Sequence, residues 1–337
     1  FDDAGNLLND NSESARYRTS TAQQTAALGA VFRALDADAV MIIEAPDQSG
    51  TRSTAAALQT FAAHFGLRAR SALIGFHSHT RQEIALLYDP DMMTAAHAPM
   101  GEASLDSAAP RFDYSYAYDL DGDNIAENIG FSKPPLEVQL RLITGAETGA
   151  VLRLIGVHVK SKAAHHARGD ADYIRIATHN RRKQLAECFW LRGRVAQILA
   201  TDTPLIVLGD FNDGPGLDEY EQMFGHSSVE VVMGAATPHQ PQLICPDAAK
   251  DAKLVDGHPP TSARFYLDTK NDYFEALLDF IMISPNLAPC APVWRIWHPL
   301  RDVQVMQDPV LTDALLAASD HFPVTLDINP PQPKALP

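Results

Sequence analysis

The chain has 337 residues, of which 46% are hydrophobic and 20% charged, enough apolar material for one large domain or two small ones. Its formal net charge of −15 is the reverse of the Lys and Arg excess with which proteins hold long nucleic acids, so long duplex DNA is disfavoured as a partner. No apolar run approaches the roughly 20 residues of a membrane span. The three cysteines are scattered and form neither a metal signature nor a disulfide framework, and the compartment stays open.

Two helices and a strand are predicted near the start of the chain. Apolar residues recur at helical spacing in residues 20–36 and again in residues 52–65, and Gly66 follows the second segment as a C-terminal cap. Between the helices, residues 39–43 form a short apolar, β-branched run. This run predicts a buried strand that ends at Glu44.

The rest of the chain mixes strands with helices. Short apolar runs predict strands at residues 83–88, 138–142, 151–160, 204–208, 277–283 and 322–328. Residues 173–200 give the strongest helical pattern, whereas residues 89–135 and 234–275 read as a surface excursion and an irregular segment. Several strands follow one another without a helix between them, which favours α/β sheets covered by helices. We expect one domain over residues 1–329 and a Pro-rich tail over 330–337.

The strongest local pattern is the string Gly209-Asp210-Phe211-Asn212, which follows a predicted buried strand. Residues two apart at a strand end share a face. Asp210 and Asn212 can therefore act on one water molecule, the carboxylate by accepting its proton and the amide by holding the water or a phosphate oxygen. A plain turn is the alternative interpretation, because Gly, Asp and Asn are all common turn residues.

Four further signals place polar residues in or beside apolar strands. They are Glu44, His158, Asp279 and the pair Asp320-His321. Each has an ordinary structural explanation as well: an exposed acid after a strand, a core histidine, or a turn before a strand. Asp279 lies in the run Leu-Asp-Phe-Ile, where a buried carboxylate needs a partner, and His321 is the natural one.

In chain order these residues resemble the motif series of the endonuclease/exonuclease/phosphatase superfamily, which includes the deoxyribonuclease I-like enzymes. The series runs from an acid at a strand end through a strand histidine, Gly-Asp-x-Asn and a strand Asp to Ser-Asp-His, and it extends over residues 40–328. The resemblance implies an α/β fold, a four-layer α/β/β/α sandwich in which two mixed β-sheets pack face to face with helices outside. The site residues would gather at one edge of the two sheets.

The resemblance also implies a metal ion and a role for each residue around it. Glu44 would bind a catalytic Mg2+ or Mn2+, and Asp320 would lie near the metal or the water. Asp210 would orient or deprotonate the attacking water, with Asn212 helping to hold the water and the phosphate. Carboxylate oxygens suit Mg2+, which binds few protein ligands and keeps several waters.

For the phosphate, the resemblance implies contacts from two histidines. His158 and His321 would contact the phosphate oxygens, with Asp279 hydrogen-bonded to His321. The metal and the histidines would stabilise the charge that builds on these oxygens. His158 usually has an acidic partner from an earlier strand in the family, and Gln82 or Glu83 occupies that part of this chain.

At several positions the chain departs from the family pattern. The family opens with a strand that carries an Asn, and the residues at Phe1 resemble the segment just after it, so we expect that strand upstream. Ile43 stands where members often have Gln, and Lys133 replaces an Arg in an Arg-Pro string. Arg182 and Gln184 open the long helix where members often place Arg and Gln, so Lys133, Arg182 and Gln184 are candidate substrate contacts. Solvated helix residues are the alternative for the last two.

The sequence therefore predicts divalent-metal-dependent hydrolysis of a phosphodiester, of a nuclease-like or small-molecule kind. The marks of apurinic endonucleases and inositol polyphosphate phosphatases are missing beside Asp279, where Leu278 precedes and Phe280 follows. The expected partner is a phosphate ester, namely a small diester, a nucleotide or a short nucleic acid; no protein partner is predicted. Two alternatives remain: a phosphomonoesterase with the same residues, and a non-catalytic phosphate-binding protein, which the intact motifs oppose.

Overall fold

A computed structural model describes most of the chain: residues 1–14, 16–78, 80–144, 147–164, 167–215, 222, 225–235, 241–248, 259–267 and 271–331. Most of the predicted Pro-rich tail, residues 332–337, lies outside this set. The three cysteines are free, as the sequence predicts. Among the described helices, none combines the length and apolar composition needed to cross a membrane.

The first sheet is antiparallel and has three strands. They are β1 (Ala39–Ala45), β2 (Ser71–Ile74) and β3 (Glu83–Tyr88), in the order β1–β3–β2. Helices α1 (Thr21–Leu35) and α2 (Thr54–Phe65) come, like these strands, from the N-terminal part of the chain. Leu58 of α2 and Leu87 of β3 lie in one buried cluster, so this helix layer covers the outer face of the sheet.

The second sheet has five strands. They are β4 (Met93–His97), β7 (Leu136–Thr144), β8 (Glu147–His158), β9 (Leu205–Asp210) and β12 (Asp279–Ile283). Their order is β12–β9–β8–β7–β4, and the sheet is mixed because β8 and β9 run parallel while the other neighbours are antiparallel. The long helix α3 (Asp170–Leu199) covers its outer face, where Leu191 and Ile155 share a buried cluster.

The inner faces of the two sheets meet in an apolar core. Leu86 of β3, Leu154 of β8, Ile206 of β9 and Ile281 of β12 belong to this inter-sheet cluster. Side chains two apart along a strand share a face, so His158 continues the row of Leu154 to the end of β8. The four-layer α/β/β/α sandwich predicted from the sequence is confirmed, and its inner apolar rows end in polar residues at one edge.

The remaining α-helices and strands are β5 (Tyr116–Tyr118), β6 (Glu127–Ile129), α4 (Ser228–Met233), β10 (Ala263–Leu267), β11 (Asp272–Ala276), β13 (Val293–Ile296), α5 (Val303–Met306), α6 (Pro309–Ala318) and β14 (Val324–Asp327). Trp294 of β13 and Leu326 of β14 pack against the inter-sheet cluster. Strands β5 and β6, β10 and β11, and β13 and β14 form three antiparallel pairs. The pair β5–β6 lies in the segment 89–135, which was expected to be a surface excursion.

Two expectations from the sequence need correction. The segment 234–275, predicted to be irregular, contains most of the hairpin β10–β11. Tertiary contacts stabilise these short strands, since Ala263 bridges His321 and the Ser262 N–H donates to the Ala276 carbonyl at 2.9 Å. Strand β9 also continues past the predicted residues 204–208. Its last residue is Asp210, whose carbonyl accepts the N–H of Val159 at 2.9 Å, so Asp210 belongs to the strand and not to a plain turn.

Helix α3 carries a buried acid where it packs on the end of β8. Glu187 is 1% exposed, and its Oε2 accepts the N–H of Lys160 at 2.8 Å. The Lys183 ammonium lies 3.9 Å from the other carboxylate oxygen. Burial raises the pKa of Glu187 to about 7 despite these favourable neighbours. In the folded protein the Glu187 carboxyl group is therefore mostly protonated below pH 7.

We predict that Glu187→Gln stabilises the protein in a pH-dependent manner. The folded pKa lies above the unfolded one, so stability falls as the pH rises from about 4.5 through 7 in the wild type. Glutamine keeps the acceptor for the Lys160 N–H without the charge. Urea unfolding should show the variant to be more stable by about 1–3 kcal/mol at pH 8, with the difference vanishing near pH 4.5. A variant that is less stable than the wild type at pH 8 would contradict this account.

Candidate active site

Three polar side chains lie side by side in one row across the five-stranded sheet. His158 at the end of β8 is paired with Asp210 at the end of β9, and Asp210 is paired with Asp279 at the start of β12. Directly paired residues on neighbouring strands project from the same face. These three side chains project from the inner face of the five-stranded sheet, so their row lies where the inter-sheet core ends.

Gly209 and Asn212 shape the chain on either side of Asp210. Gly209 has a φ of 137°, and a Cβ there would come within 2.1 Å of the Val157 carbonyl oxygen, so only glycine fits. Asn212 has a φ of 49°, a left-handed conformation that asparagine tolerates better than most residues. This bend returns its amide to the strand end, where Nδ2 donates to Asp210 Oδ2 and to the Val159 carbonyl, both at 3.0 Å.

Asp210 is the most enclosed carboxylate of the row. The Asn212 N–H donates to its Oδ1 at 2.7 Å, and His158 Nε2 lies 3.5 Å from its Oδ2. Burial, together with the like charge of Asp279, raises the pKa of Asp210 to about 7, against the opposing effect of His321. A carboxylate with a pKa near 7 is a stronger base than an ordinary aspartate.

His321 is held by Asp279, as the sequence predicts. Its Nδ1 lies 2.8 Å from Asp279 Oδ2, and the Ser262 hydroxyl donates to the same oxygen at 2.7 Å. Ser262 Oγ accepts the N–H groups of Leu278 and Asp279, each at 3.0 Å. Burial lowers the pKa of His321, but the charge and hydrogen bond of Asp279 outweigh it and raise the pKa to about 9. The imidazole is therefore a cation at neutral pH.

His158, in contrast, is neutral. Burial and the charges of Lys133 and His321 lower its pKa to about 3. The Lys133 ammonium lies 2.8 Å from Nδ1. A neutral ring accepts at the nitrogen that faces a cation, so Nδ1 accepts from Lys133 and Nε2 carries the proton. That Nε2–H is the nitrogen beside Asp210.

The expected partner of His158 from an earlier strand needs correction. Gln82 reaches the histidine only through Lys133, whose ammonium donates to Gln82 Oε1 at 2.7 Å. Glu83 is 1% exposed, and its Oε2 accepts the N–H of Ser78 at 2.9 Å. This carboxylate is directed to backbone, and the residue whose side chain lies beside His158 is Lys133.

Glu44 projects into the same region from the end of β1. Its φ is 65°, and the pairing of β1 with β3 shifts register between Ile43 and Ala45. A left-handed glutamate is strained, and such strain concentrates at functional sites. The carboxylate is 53% exposed, 3.7 Å from Lys133 Nζ and 4.0 Å from His158 Nε2. It thus remains accessible beside two nitrogen-bearing side chains.

Asp320 reaches the site from the segment before β14. Its side chain is 43% exposed, and Oδ2 lies 3.4 Å from Nη1 of Arg16. Nη2 of Arg16 donates to the Leu316 carbonyl at 3.2 Å. The backbone carbonyl of Asp320 accepts the N–H of Arg264 at 2.7 Å. The carboxylate is therefore oriented by an arginine from the N-terminal segment.

A cleft of about 1350 Å3 brings the sequence-predicted residues together. Its lining includes Glu44, Lys133, His158, Asp210, Asn212, Asp320 and His321. Asp279 lies behind His321, and the ligand atoms of Asp210, Asp279 and His321 are all within 4.8 Å of one another. The predicted meeting of these residues at one sheet edge is therefore present.

Two candidate substrate residues lie elsewhere. Gln184 is 1% exposed, and its amide donates to the carbonyls of Lys160 at 2.8 Å and Asn212 at 3.1 Å. It joins two loops beneath the cleft, because its face of α3 is turned towards the sheet. Arg182 is not among the lining residues, and its neighbour Arg181 lines the cleft instead.

Sequence reasoning missed several residues that shape the site. Ser262 and Arg16 carry no local signal, since one is a small polar residue in a loop and the other a charged residue before a helix. Phe265 and Phe274 line the cleft from the hairpin β10–β11. The alternation of residues in 263–267 was a signal for a strand that could have located Phe265.

A second group of close carboxylates lies outside the cleft. Asp119, Asp121 and Asp123 belong to the turn between β5 and β6. Asp119 accepts the N–H groups of Gly122 at 2.7 Å and Asn124 at 2.8 Å. These carboxylates stabilise the turn in which they lie.

The cleft suits a divalent metal at Glu44 and Asp320. Both carboxylates are substantially exposed, and their charged neighbours stay at 3.4 Å or more. Asp279 and His321, in contrast, already satisfy each other at 2.8 Å. Hard carboxylate oxygens are the ligands that Mg2+ and Mn2+ prefer. Glu44 and Asp320 are therefore the carboxylates of the cleft that are most open to a divalent cation.

The chain is similar to several known structures, and the first of them shares its fold. The chain is similar to the catalytic domain of Xenopus laevis APE2, with 14% identity, coverage of 93% of this chain and 90% of that one, and a TM-score of 0.51. It is also similar to a mannosyl-6-phosphatase of Bacteroides thetaiotaomicron (14% identity, 96% and 97% coverage, TM-score 0.47). A third match is the catalytic domain of human Nocturnin (15% identity, 96% and 92% coverage, TM-score 0.41).

A search of curated protein sequences gave no match. A comparison with protein-family models, in contrast, identifies the family. The family model described as "Endonuclease/Exonuclease/phosphatase family" matches residues 6–321, a span that contains every residue of the row and both accessible carboxylates. The chain therefore belongs to the endonuclease/exonuclease/phosphatase family, whose members are hydrolases of phosphoester bonds.

Proposed function

We propose that this protein hydrolyses a phosphodiester with Mg2+ or Mn2+. The observation that carries the proposal is the row of His158, Asp210 and Asp279, closed by His321 at one end of the cleft. The row places a base beside neutral and cationic imidazoles. This is the combination that attack of water on a phosphate requires: one group takes a proton while others bind the negative oxygens.

Asp210 is the base in this proposal. Two hydrogen bonds from Asn212 fix both of its oxygens, at 2.7 and 3.0 Å, so the carboxylate is oriented before substrate arrives. Its raised pKa makes it a competent proton acceptor from water near neutral pH. Asn212 remains close enough to share in holding the water.

The two histidines act on the phosphate. His321, kept cationic by Asp279, donates from Nε2 to a phosphate oxygen, since its Nδ1 faces Asp279. His158 donates its Nε2–H beside Asp210, and Lys133 adds a positive charge behind it. Fixed donors of this kind stabilise charge as it develops on the phosphoryl oxygens.

Glu44 and Asp320 would hold the metal. When bound there, a divalent ion would neutralise phosphate charge and polarise the phosphoryl group. Arg16 orients Asp320, and the strained backbone at Glu44 directs its carboxylate into the cleft.

We predict that hydrolysis requires a divalent metal and that Glu44→Gln raises the Mn2+ concentration needed for half-maximal activity. The amide keeps the shape of the side chain and loses the anionic ligand. Activity should be measured across an Mn2+ titration after EDTA treatment, with the exposed Glu102→Gln as the control. Mn2+ binding should be followed in parallel by calorimetry. Full activity in EDTA would remove the metal from the proposal.

Replacement of the base or of the cationic imidazole is expected to abolish turnover while leaving the protein folded. Asp210→Asn should lower kcat by roughly 10²–10⁴-fold, and His321→Ala should lower it by roughly 10²–10³-fold. Both effects should appear in kcat more than in KM, because both roles strengthen in the transition state. Surface variants Asp91→Asn and His64→Ala serve as matched controls. Turnover of Asp210→Asn at the wild-type rate would overturn the assignment of the base.

The substrate class is tested by comparing esters at matched salt. We predict that bis-p-nitrophenyl phosphate is hydrolysed faster than p-nitrophenyl phosphate, as expected for a diesterase. Plasmid DNA should be a poor substrate, because a net charge of −15 repels a long polyanion. Faster hydrolysis of the monoester would favour a phosphomonoesterase, and efficient plasmid cleavage would overturn the argument from charge.

A further inference from the structure

One wall of the cleft is the inner face of the hairpin β10–β11. Phe265 of β10 is paired with Phe274 of β11, and Ala263 with Ala276. Paired residues share a face, so this face is apolar except for Asp272, which is paired with Leu267. Phe265, Leu267, Phe274 and Ala276 all line the cleft. The opposite face of the same hairpin carries the alternate residues.

Contacts on the outer face hold the hairpin in place. Tyr266 stacks on Tyr17 of the N-terminal segment, with ring centroids 5.3 Å apart and planes at 11°. Arg264 lies 3.3 Å from the centroid of the Tyr273 ring, and Glu275, which also lines the cleft, forms an ion pair with Arg301. The hairpin is therefore anchored from behind, and its apolar face is presented to the cleft.

This face reaches the catalytic residues. The Phe265 ring lies 5.4 Å from the His321 imidazole, in an edge-to-face arrangement at 75°. Phe274, across the strand pair from Phe265, is 53% exposed. A group bonded to a phosphate that contacts His321 would therefore lie against Phe265 and Phe274.

We propose that Phe265 and Phe274 bind a planar aromatic group on one ester of the substrate, such as the base of a nucleoside ester. This inference rests on the proposed phosphodiesterase function and concerns its specificity. A flat ring with polar edges gains stacking energy on the two phenyl rings and keeps its edges hydrated. An acyl chain on the half-exposed Phe274 would stay largely in water.

The other side of the cleft agrees with a nucleotide-like ligand. Lys160, Lys162 and Arg181 line it, although the chain as a whole is strongly acidic. Cationic side chains in the same cleft as an aromatic face match a ligand that carries both anionic phosphate and planar bases. The cleft thus provides complementary surfaces for both parts of a nucleotide.

The test compares two esters with the same leaving group, thymidine 5′-(p-nitrophenyl phosphate) and methyl p-nitrophenyl phosphate, in Mn2+. The wild type should prefer the thymidine ester in kcat/KM. Phe274→Ala should lower that preference about 10- to 100-fold, the effect of removing a stacking aromatic, and Phe274→Tyr should retain it. Tyr173→Ala, at an exposed tyrosine of α3, should leave the preference unchanged.

Several outcomes overturn the inference. One is a wild type without preference for the thymidine ester, and another is a Phe274→Ala variant in which both esters lose equally. If Phe274→Leu retained the preference, the aromatic requirement would be wrong. If neither ester were hydrolysed, the proposed function would fail, and calorimetric binding of thymidine 5′-monophosphate would still test the surface. It should bind the wild type more tightly than Phe274→Ala, and equal binding would refute the role of Phe274.

Discussion

The parallel pairing of β8 with β9 is the constraint on which the site depends. It places His158 beside Asp210, and it brings the Val157 carbonyl so close to position 209 that only glycine is accommodated. Antiparallel pairing of β12 then adds Asp279 to the same row. His321 comes from the C-terminal segment and is not part of the five-stranded sheet. Its side chain joins the row through the hydrogen bond to Asp279.

Much of this arrangement could be predicted from the sequence, because the ends of these strands carry a recognisable local sequence pattern. A buried run followed by Gly-Asp-x-Asn specifies both the strand and the face of its last residues. The partner of His158 was not predicted, because the resemblance implied an acid from an earlier strand, whereas the Lys133 ammonium lies 2.8 Å from its Nδ1. Gln184 was misread because only packing shows which face of α3 turns towards the sheet. The hairpin β10–β11 was missed because its stability comes from tertiary contacts rather than strand length.

The net charge of the chain does not describe the distribution of charged side chains in the cleft. The net charge of −15 describes the average surface, whereas the cleft brings lysines and an arginine together with carboxylates such as Glu44 and Asp320. Part of this local charge is offset from beneath, since Lys162 donates to the buried Asp213 at 2.6 Å. Asp213 thus holds one of these cations in a fixed position, which a count of charges along the sequence does not reveal.

The contacts of Arg16 and Tyr17 have a mechanical consequence. These adjacent residues lie on one short segment, yet Arg16 contacts Asp320 and Tyr17 stacks on the hairpin through Tyr266. Displacement of the hairpin must therefore strain the arginine contact, or break the stack first. For as long as the stack holds, the wall formed by the hairpin and the Asp320 carboxylate are therefore connected through one short segment of chain.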